Sequence, residues 1–159
     1  MINSILTAMN NNQMVGSIFF DLQKAFNCVN NKILLEKLEF YGVEGKFKTL
    51  TESYLTGRYQ RVTLNNITNN NNSSIRELLK CGVPQGSILG PLFFLIYIND
   101  LPTIVNNDNN TVLFADDTSI IITDTNRSHF NVNAYQMFQD INTWFKVNLL
   151  TLILIKLST

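Results

Sequence analysis

A pair of adjacent aspartates between two apolar runs is the feature of this sequence that most constrains its fold. The apolar residues 111–113 and 119–122 flank a Phe-Ala-Asp-Asp tetrapeptide that ends in Asp116 and Asp117. Two short apolar segments joined by so few residues predict a β-hairpin with the carboxylates at its tip. Like charges held close together repel each other, and a divalent cation relieves that repulsion. The pair suggests a metal site, although a polar hairpin turn, where aspartate is common, is an equally good explanation of the pair alone.

The charge balance differs from that of a typical nucleic-acid-binding domain. The chain has 159 residues, 45% of them hydrophobic and 15% charged, with 12 basic and 12 acidic side chains. This length suffices for one domain with a hydrophobic core. Because nucleic-acid-binding domains usually carry a basic excess, contact with nucleic acid would require a local basic patch or segments outside this chain. Cys28 and Cys81 lack the spacing of metal ligands, so we interpret them as free thiols in a reducing compartment.

Neither end of the chain has the pattern of a targeting or membrane segment. Residues 1–13 lack the basic start and long apolar core of a secretory signal, and the apolar run 149–157 has about half the length of a bilayer span. We therefore expect an intracellular protein. The apolar run has no later segment to pack on, so we interpret the chain as a piece of a longer protein, with residues 1–14 as a polar N-terminal remnant.

Hydrophobic periodicity predicts the order of the main elements. Residues 15–22 form a short apolar run that predicts a buried strand, which delivers Asp21 at its C-terminal end. Residues 88–99 are apolar nearly all round, which predicts a helix buried in the core. Other patterns predict helices near residues 30–41, 47–55 and 130–150, a strand at 58–64, and polar loops at 65–74 and 101–110. This order predicts an α+β fold with helices on one face of a mainly antiparallel sheet.

Asp21, Asp116 and Asp117 together suit two-metal phosphoryl transfer. Such sites hold two cations about 3.5–4 Å apart, bridged by a carboxylate from a separate strand. One ion lowers the pKa of an attacking hydroxyl, and the other neutralises charge on the leaving phosphate. A shell of oxygen ligands suits Mg²⁺, with Mn²⁺ as an alternative.

Three blocks of this sequence resemble the reverse transcriptase domain of non-LTR (LINE-type, jockey-like) retrotransposons. They are FFDLQKAF at 19–26, GVPQGSILGPLFFLIYINDLP at 82–102 and FADD at 114–117, in the order and with the spacing of that family. The resemblance extends over about residues 15–156 and implies a partial polymerase palm domain at 15–157, with fingers and thumb largely missing. It implies an RNA-directed DNA polymerase, a nucleotidyltransferase that joins a dNTP to a primer 3′-OH.

The resemblance also implies the catalytic residues. Asp21 matches the first metal-binding aspartate of the family, and Asp116 and Asp117 match its aspartate pair. The backbone carbonyl of Leu22 would be a further metal ligand. Lys156 matches a lysine of a later motif and is the candidate proton donor to pyrophosphate.

The same resemblance implies a nucleotide-binding site made of Leu22, Ala25, Phe26, Gln85 and Gly86. Phe26 matches the steric gate that excludes a ribose 2′-OH, and Ala25 would lie under the incoming sugar. Gln85 and Gly86 match a loop that packs on the nucleotide and the template, where glycine allows close backbone approach. A plain core aromatic remains the alternative for Phe26, and a helix-entry turn remains the alternative for the loop.

The resemblance also implies partners, namely an RNA template, a DNA primer, a dNTP, and the fingers, thumb and endonuclease segments of a parent polyprotein, with no membrane. It places the protein in the cytoplasm and nucleus as a ribonucleoprotein.

Three residues, Asn27, Ile153 and Leu157, depart from the family pattern, but none of them replaces a metal ligand. A catalytically inactive relic and a domesticated RNA-binding module are the alternative functions. We expect the isolated chain to have little or no polymerase activity.

Two arginines follow the second predicted helix. Arg58 and Arg61 are three residues apart in a predicted strand, so they point to opposite faces and form no basic stripe. We interpret both as solvated surface residues, with nucleic-acid contact as the alternative.

Overall fold

A computed structural model describes residues 2–64, 72–105, 110–114 and 117–158. In chain order, its elements are α1 (Ile2–Asn10), β1 (Met14–Leu22), α2 (Ala25–Cys28), α3 (Asn31–Phe40), α4 (Gly45–Leu55), β2 (Tyr59–Gln60), β3 (Thr63–Leu64), β4 (Asn72–Ser73), β5 (Glu77–Leu78), α5 (Leu89–Ile98), a 3₁₀ helix (Leu101–Ile104), β6 (Asn110–Phe114), β7 (Asp117–Asp124), α6 (Arg127–Val147) and β8 (Leu152–Ser158).

A four-stranded antiparallel sheet with the strand order β6-β7-β1-β8 forms the centre of the fold. Strand β1 lies inside the sheet, and from Val15 onward its residues alternate between two environments. Ile18, Phe20 and Leu22 are buried on one face, whereas Phe19 and Asp21 are half-buried on the other. This period of two is what a strand with one core-facing side requires. We call the side that carries Phe19 and Asp21 the second face of the sheet.

The main core lies between the first face of the sheet and the helices. Its buried cluster joins Ile18 and Phe20 of β1 to Leu34 of α3, Phe93 of α5 and Phe145 of α6. Helices packed on an antiparallel sheet make the fold mixed α+β, which confirms the predicted class. None of the helices in the described ranges is long and apolar enough to cross a membrane.

The helix predicted at residues 88–99 is present as α5. The prediction that it is buried all round is wrong, because one of its sides is exposed. Phe93, Phe94, Tyr97 and Ile98 are buried, whereas the side chains of Ile88, Leu92 and Leu95 are 94%, 47% and 50% exposed. The hydrophobic content of a helix does not reveal which of its sides is buried, and in the structure α5 contacts α2 and α3.

The apolar run at residues 149–157 does have a packing partner. Its residues form β8, which pairs with β1 from Ser17 to Leu22. The expectation of an unpacked tail is therefore wrong, because the partner strand lies near the other end of the sequence and no local pattern reveals it.

The strand predicted at residues 58–64 is divided into two short strands. Strand β2 pairs with β5, and strand β3 pairs with β4.

Residues 2–10, which we described as part of a polar remnant, form the helix α1. Ala8 is buried, and its carbonyl accepts a hydrogen bond from the Gln13 backbone amide at 2.9 Å. Helix α1 contacts β1.

Candidate active site

Asp21 and Asp117 lie one residue beyond the last paired positions of two neighbouring strands. The last paired residues of β1 and β7 in this direction are Phe20 and Thr118, both buried. One step further lie Asp21 and Asp117, on the second face, where Asp21 is half-buried and Asp117 is exposed. The sheet register therefore brings together two carboxylates that are far apart in the sequence.

The hairpin that carries the aspartate pair forms as predicted. Strands β6 and β7 pair antiparallel up to Phe114 and Asp117. Ala115 and Asp116 lie outside the described residues. The role of Asp116 as a metal ligand therefore stays a prediction.

The two described carboxylates fit a cation as a partner. Among the described residues, no side-chain hydrogen bond or ion pair engages Asp21 or Asp117, whereas the ion pairs there use Asp100 and Glu39. Opposed carboxylates without a cation repel each other, and oxygen donors are the ligands that Mg²⁺ prefers. In the described ranges no group of three or more His, Cys, Asp or Glu side chains gathers.

The segment after Asp21 turns sharply away from the sheet into the short helix α2. The pairing of β1 with β8 is irregular between Asp21 and Leu22, and a bulge of this kind re-aims the side chains beside it. Lys24 takes a left-handed conformation with φ of 47° immediately before α2. Ala25 is buried, and Phe26 is half-buried. The Phe26 ring packs against Phe94 with centroids 4.9 Å apart, so a core role and a gate role are both compatible with its position.

Residues 82–86, the GVPQG loop, lie directly on α2. The Gly82 amide donates to the Val29 carbonyl at 2.7 Å, and the Val83 amide donates to the Phe26 carbonyl at 2.8 Å. Gln85 and Gly86 are exposed. The structure thus joins two predicted nucleotide-binding segments that are about 60 residues apart in the sequence.

The Lys156 backbone lies in β8 and pairs with Phe19, two residues before Asp21. This register places position 156 on the strand that borders β1 beside the carboxylates. Its role as a proton donor stays a prediction.

Arg58 is a residue near this site that sequence reasoning missed. We interpreted it as a solvated surface residue, but it is half-buried, and its guanidinium donates to the carbonyls of Gly82 and Leu55. Arg61 is exposed, as interpreted. No sequence pattern distinguishes the two arginines, because the contact with Gly82 depends on the tertiary fold.

The chain matches a family model described as "Reverse transcriptase (RNA-dependent DNA polymerase)" over residues 2–158. It is 30% identical over 142 residues to the Drosophila melanogaster "Probable RNA-directed DNA polymerase from transposon X-element", covering 87% of this chain and 14% of that protein. It is 32% identical over 126 residues to the "RNA-directed DNA polymerase from mobile element jockey" of Drosophila melanogaster, covering 76% of this chain and 13% of that protein. The chain therefore spans about one seventh of the length of these curated relatives.

Solved telomerase structures share the fold. The telomerase of Candida tropicalis in complex with a fragment of telomeric RNA superposes with a TM-score of 0.62 at 15% sequence identity, covering 98% of this chain and 29% of that one. The truncated apo telomerase of Candida tropicalis gives a TM-score of 0.60 at 16% identity, covering 95% of this chain and 34% of that one. At this low sequence identity, the likeness establishes only the fold of this chain, which is a partial polymerase fold. The family match over residues 2–158 and the relatives at 30% identity and above show that the chain belongs to the reverse transcriptase (RNA-dependent DNA polymerase) family, as a domain of the non-LTR retrotransposon type.

Proposed function

We propose that this chain is the segment of an RNA-directed DNA polymerase that carries the catalytic carboxylates. In the proposed reaction, the 3′-OH of a DNA primer paired to an RNA template attacks the α-phosphate of a dNTP. A new phosphodiester bond forms, the bond to the β-phosphate breaks, and pyrophosphate leaves. The observation that carries the proposal is that Asp21 and Asp117 each lie one residue beyond the last β1–β7 pair, Phe20 and Thr118, beside the segment that carries Phe26.

Reverse transcriptases of this family generally use divalent metal ions. In this chain, Asp21, Asp117 and the predicted ligand Asp116 would hold them, with the Leu22 carbonyl as a further oxygen donor. When bound, such ions activate the attacking hydroxyl and neutralise charge on the phosphates.

The neighbouring residues would bind and orient the nucleotide. Ala25 is buried at the start of α2, which leaves little side chain between the backbone and an incoming sugar. The Phe26 ring packs on Phe94, and the Phe26 backbone carbonyl accepts from the Val83 amide; both contacts would restrict movement of the residue away from a ribose 2′-OH. Gln85 is exposed on the GVPQG loop, where it is available to a base pair.

Metal binding by the 159-residue chain tests the carboxylate site. Mn²⁺ titration followed by electron paramagnetic resonance is expected to detect a bound ion in the unaltered chain. Asp21→Asn and Asp117→Asn should each weaken that binding by at least about tenfold, or ~1.4 kcal/mol. Asp140→Asn is the matched control, because Asp140 lies on α6 and accepts from Gln136 at 2.9 Å. Equal affinity in all four proteins would contradict the proposed site.

Catalysis is best tested in a hybrid polymerase, in which residues 2–158 replace the matching segment of the Drosophila jockey polymerase. Primer extension on an RNA template is expected for the hybrid, and Asp21→Asn should abolish it. A hybrid that folds and binds RNA independently of Mg²⁺ and of Asp21, without extending a primer, would refute the proposal. That result would favour an RNA-binding module.

A further inference from the structure

We infer that Arg58 is a positioning residue that holds the GVPQG loop against the segment carrying Phe26. The inference rests on the proposed function, since it gives Arg58 a part in organising the nucleotide site. Among the described residues, the Arg58 side chain donates to the Leu55 and Gly82 carbonyls and makes no hydrogen bond to Asp21 or Asp117. Its proposed effect is transmitted through a single peptide unit of the loop.

Arg58 is anchored at the point where α4 ends. Gly57 takes a left-handed conformation with φ of 66°, which turns the chain back toward the loop. The Arg58 Nε donates to the Leu55 carbonyl at 3.1 Å, and its Nη2 donates to the Gly82 carbonyl. The Arg58 carbonyl accepts from the Leu79 amide at 2.8 Å. One residue therefore holds the chain at two points just before the exposed part of the GVPQG loop.

The peptide unit between Gly82 and Val83 connects Arg58 to Phe26. Its carbonyl accepts from the Arg58 guanidinium, and its N–H donates to the Phe26 carbonyl at 2.8 Å. Hydrogen bonds in such a chain polarise one another, so each strengthens the next. The guanidinium charge therefore strengthens the bond that holds Phe26.

Gly82 allows the loop to approach α2 this closely. A Cβ at position 82 would lie 2.9 Å from the Asn27 carbonyl oxygen and 3.0 Å from its Cα. The Gly82 φ of 89° is also a conformation that side chains disfavour. The loop therefore meets α2 backbone to backbone, and the same Gly82 residue accepts from Arg58 through its carbonyl.

The geometry favours arginine over lysine at this position. A guanidinium presents several N–H donors in a rigid fork and can serve the Leu55 and Gly82 carbonyls together. A lysine ammonium is a compact charge on a flexible stem. A hydrogen bond to a charged group is stronger than one between neutral groups, so losing it should loosen the loop locally while the sheet stays intact.

Amide hydrogen exchange of the 159-residue chain tests whether Arg58 holds the loop. In Arg58→Met, the Gly82 and Val83 amides should exchange at least about tenfold faster, and Arg58→Lys should give an intermediate rate. The amides of Ile120 and Ile122 in β7 serve as the internal reference and should keep their rates. Arg61→Met is the matched control, because it removes the same charge from an exposed position three residues away. Unchanged Gly82 and Val83 rates in Arg58→Met would overturn the inference; if that variant does not fold, unchanged rates in Arg58→Lys would do so.

Nucleotide binding tests whether this loop position serves the site. The affinity for dTTP should fall by about tenfold in Arg58→Met, with Mn²⁺ affinity as in the unaltered chain and no loss of dTTP affinity in Arg61→Met. Faster exchange with unchanged dTTP affinity would overturn the nucleotide role and leave a purely structural contact. Failure of the unaltered chain to bind dTTP would refute nucleotide binding by this chain, whereas the exchange rates would still decide whether Arg58 holds the loop.

Discussion

Tyr97 places a hydroxyl in the centre of the apolar core. The residue is fully buried, and its hydroxyl donates to the Asn148 carbonyl at 2.6 Å and accepts from the Asn30 amide at 3.4 Å. Asn30 caps the start of α3, and Asn148 follows the end of α6. One side chain of α5 thus connects the ends of two other helices behind the sheet that carries Asp21.

Tyr97→Phe should reveal a pH-dependent contribution to stability. Burial, as the largest cause, raises the pKa of Tyr97 from 10 to about 12. Because the folded-state pKa is raised, this stabilisation is fully present below pH 10 and is lost as the pH rises through 12. The free energy of unfolding should be about 1–3 kcal/mol lower in Tyr97→Phe at pH 8, and this difference should shrink by about 2–3 kcal/mol by pH 12.

Urea unfolding at pH 8, 10 and 11.5 measures this difference. Tyr135→Phe is the control for the loss of a hydroxyl at a position that is 65% exposed. A difference between the unaltered chain and Tyr97→Phe that stays constant over this pH range would contradict the assignment.

Phe26→Leu in the hybrid polymerase separates a gate role from a core role. Leucine keeps an apolar contact with Phe94 but removes the ring that we propose to exclude a 2′-OH. Incorporation of rNTP relative to dNTP should rise by at least about tenfold, within the range that pocket contacts contribute to specificity. Phe94→Leu changes the partner ring of the same stack and should lower stability without changing this ratio. Equal selectivity in both variants would identify Phe26 as a core aromatic.

At the scale of elements, the turn before α5 is packed directly on the first residues of that helix. The Ser87 hydroxyl donates to the Pro84 carbonyl at 2.7 Å and accepts from the Gly90 amide at 2.9 Å. A Cβ at position 90 would lie 2.6 Å from the Pro84 carbonyl oxygen. The start of α5 and the GVPQG loop therefore form one unit.

Gly90→Ala should destabilise the protein, although alanine is the better helix former by about 1 kcal/mol. The new methyl group meets a backbone carbonyl, so the turn must move, and overpacking of this kind typically costs about 1–3 kcal/mol. Asn131→Ala, at an exposed position of α6, should instead gain a few tenths of a kcal/mol. Urea unfolding of both variants measures the two effects. A gain in stability for Gly90→Ala would show that the turn is free to move.

The elements that could be predicted from the sequence are those with a local signal. The alternation of β1 and the helical periodicity of α3, α4 and α6 lie within single windows, and their ends agree with the structure within a few residues. The position of Asp21 at the end of a strand follows from the same alternation. Its closeness to Asp117 required the family resemblance, because sheet register is a long-range property.

The features that could not be predicted depend on a distant partner. Strand β8 has an apolar composition that is equally consistent with an unpacked tail, and its pairing with β1 identifies it as a strand. The contact of Arg58 with Gly82 likewise joins segments that meet only after folding. Helix α1 was not predicted, because the asparagines in its sequence have a low helix propensity. Its contact with β1 forms only in the folded protein.

At the scale of the whole molecule, charge neutrality limits what this chain can bind unaided. Its 12 basic and 12 acidic side chains balance, whereas phosphate contacts supply much of the affinity for nucleic acid. The described part of residues 58–80 is locally basic, with Arg58, Arg61, Arg76 and Lys80 against Glu77. Because the Arg58 guanidinium is engaged by two carbonyls, the basic side chains that this surface presents to a duplex are Arg61, Arg76 and Lys80.

We expect the 159-residue chain to bind a primer–template weakly and to extend it at a negligible rate. Fluorescence anisotropy with an RNA–DNA duplex at 150 mM salt should give a Kd no tighter than about 10 μM, in the range of non-specific binding. The hybrid polymerase should bind more tightly and lose affinity steeply between 50 and 200 mM salt, since counterions released by phosphate contacts produce that slope. The isolated chain and the hybrid carry the same carboxylates. If both bind Mn²⁺ equally well but only the hybrid extends the primer, the missing activity of the isolated chain is due to weak template binding. Primer extension at ordinary rates by the isolated chain, abolished by Asp21→Asn, would contradict this prediction and show that the segment holds a template by itself.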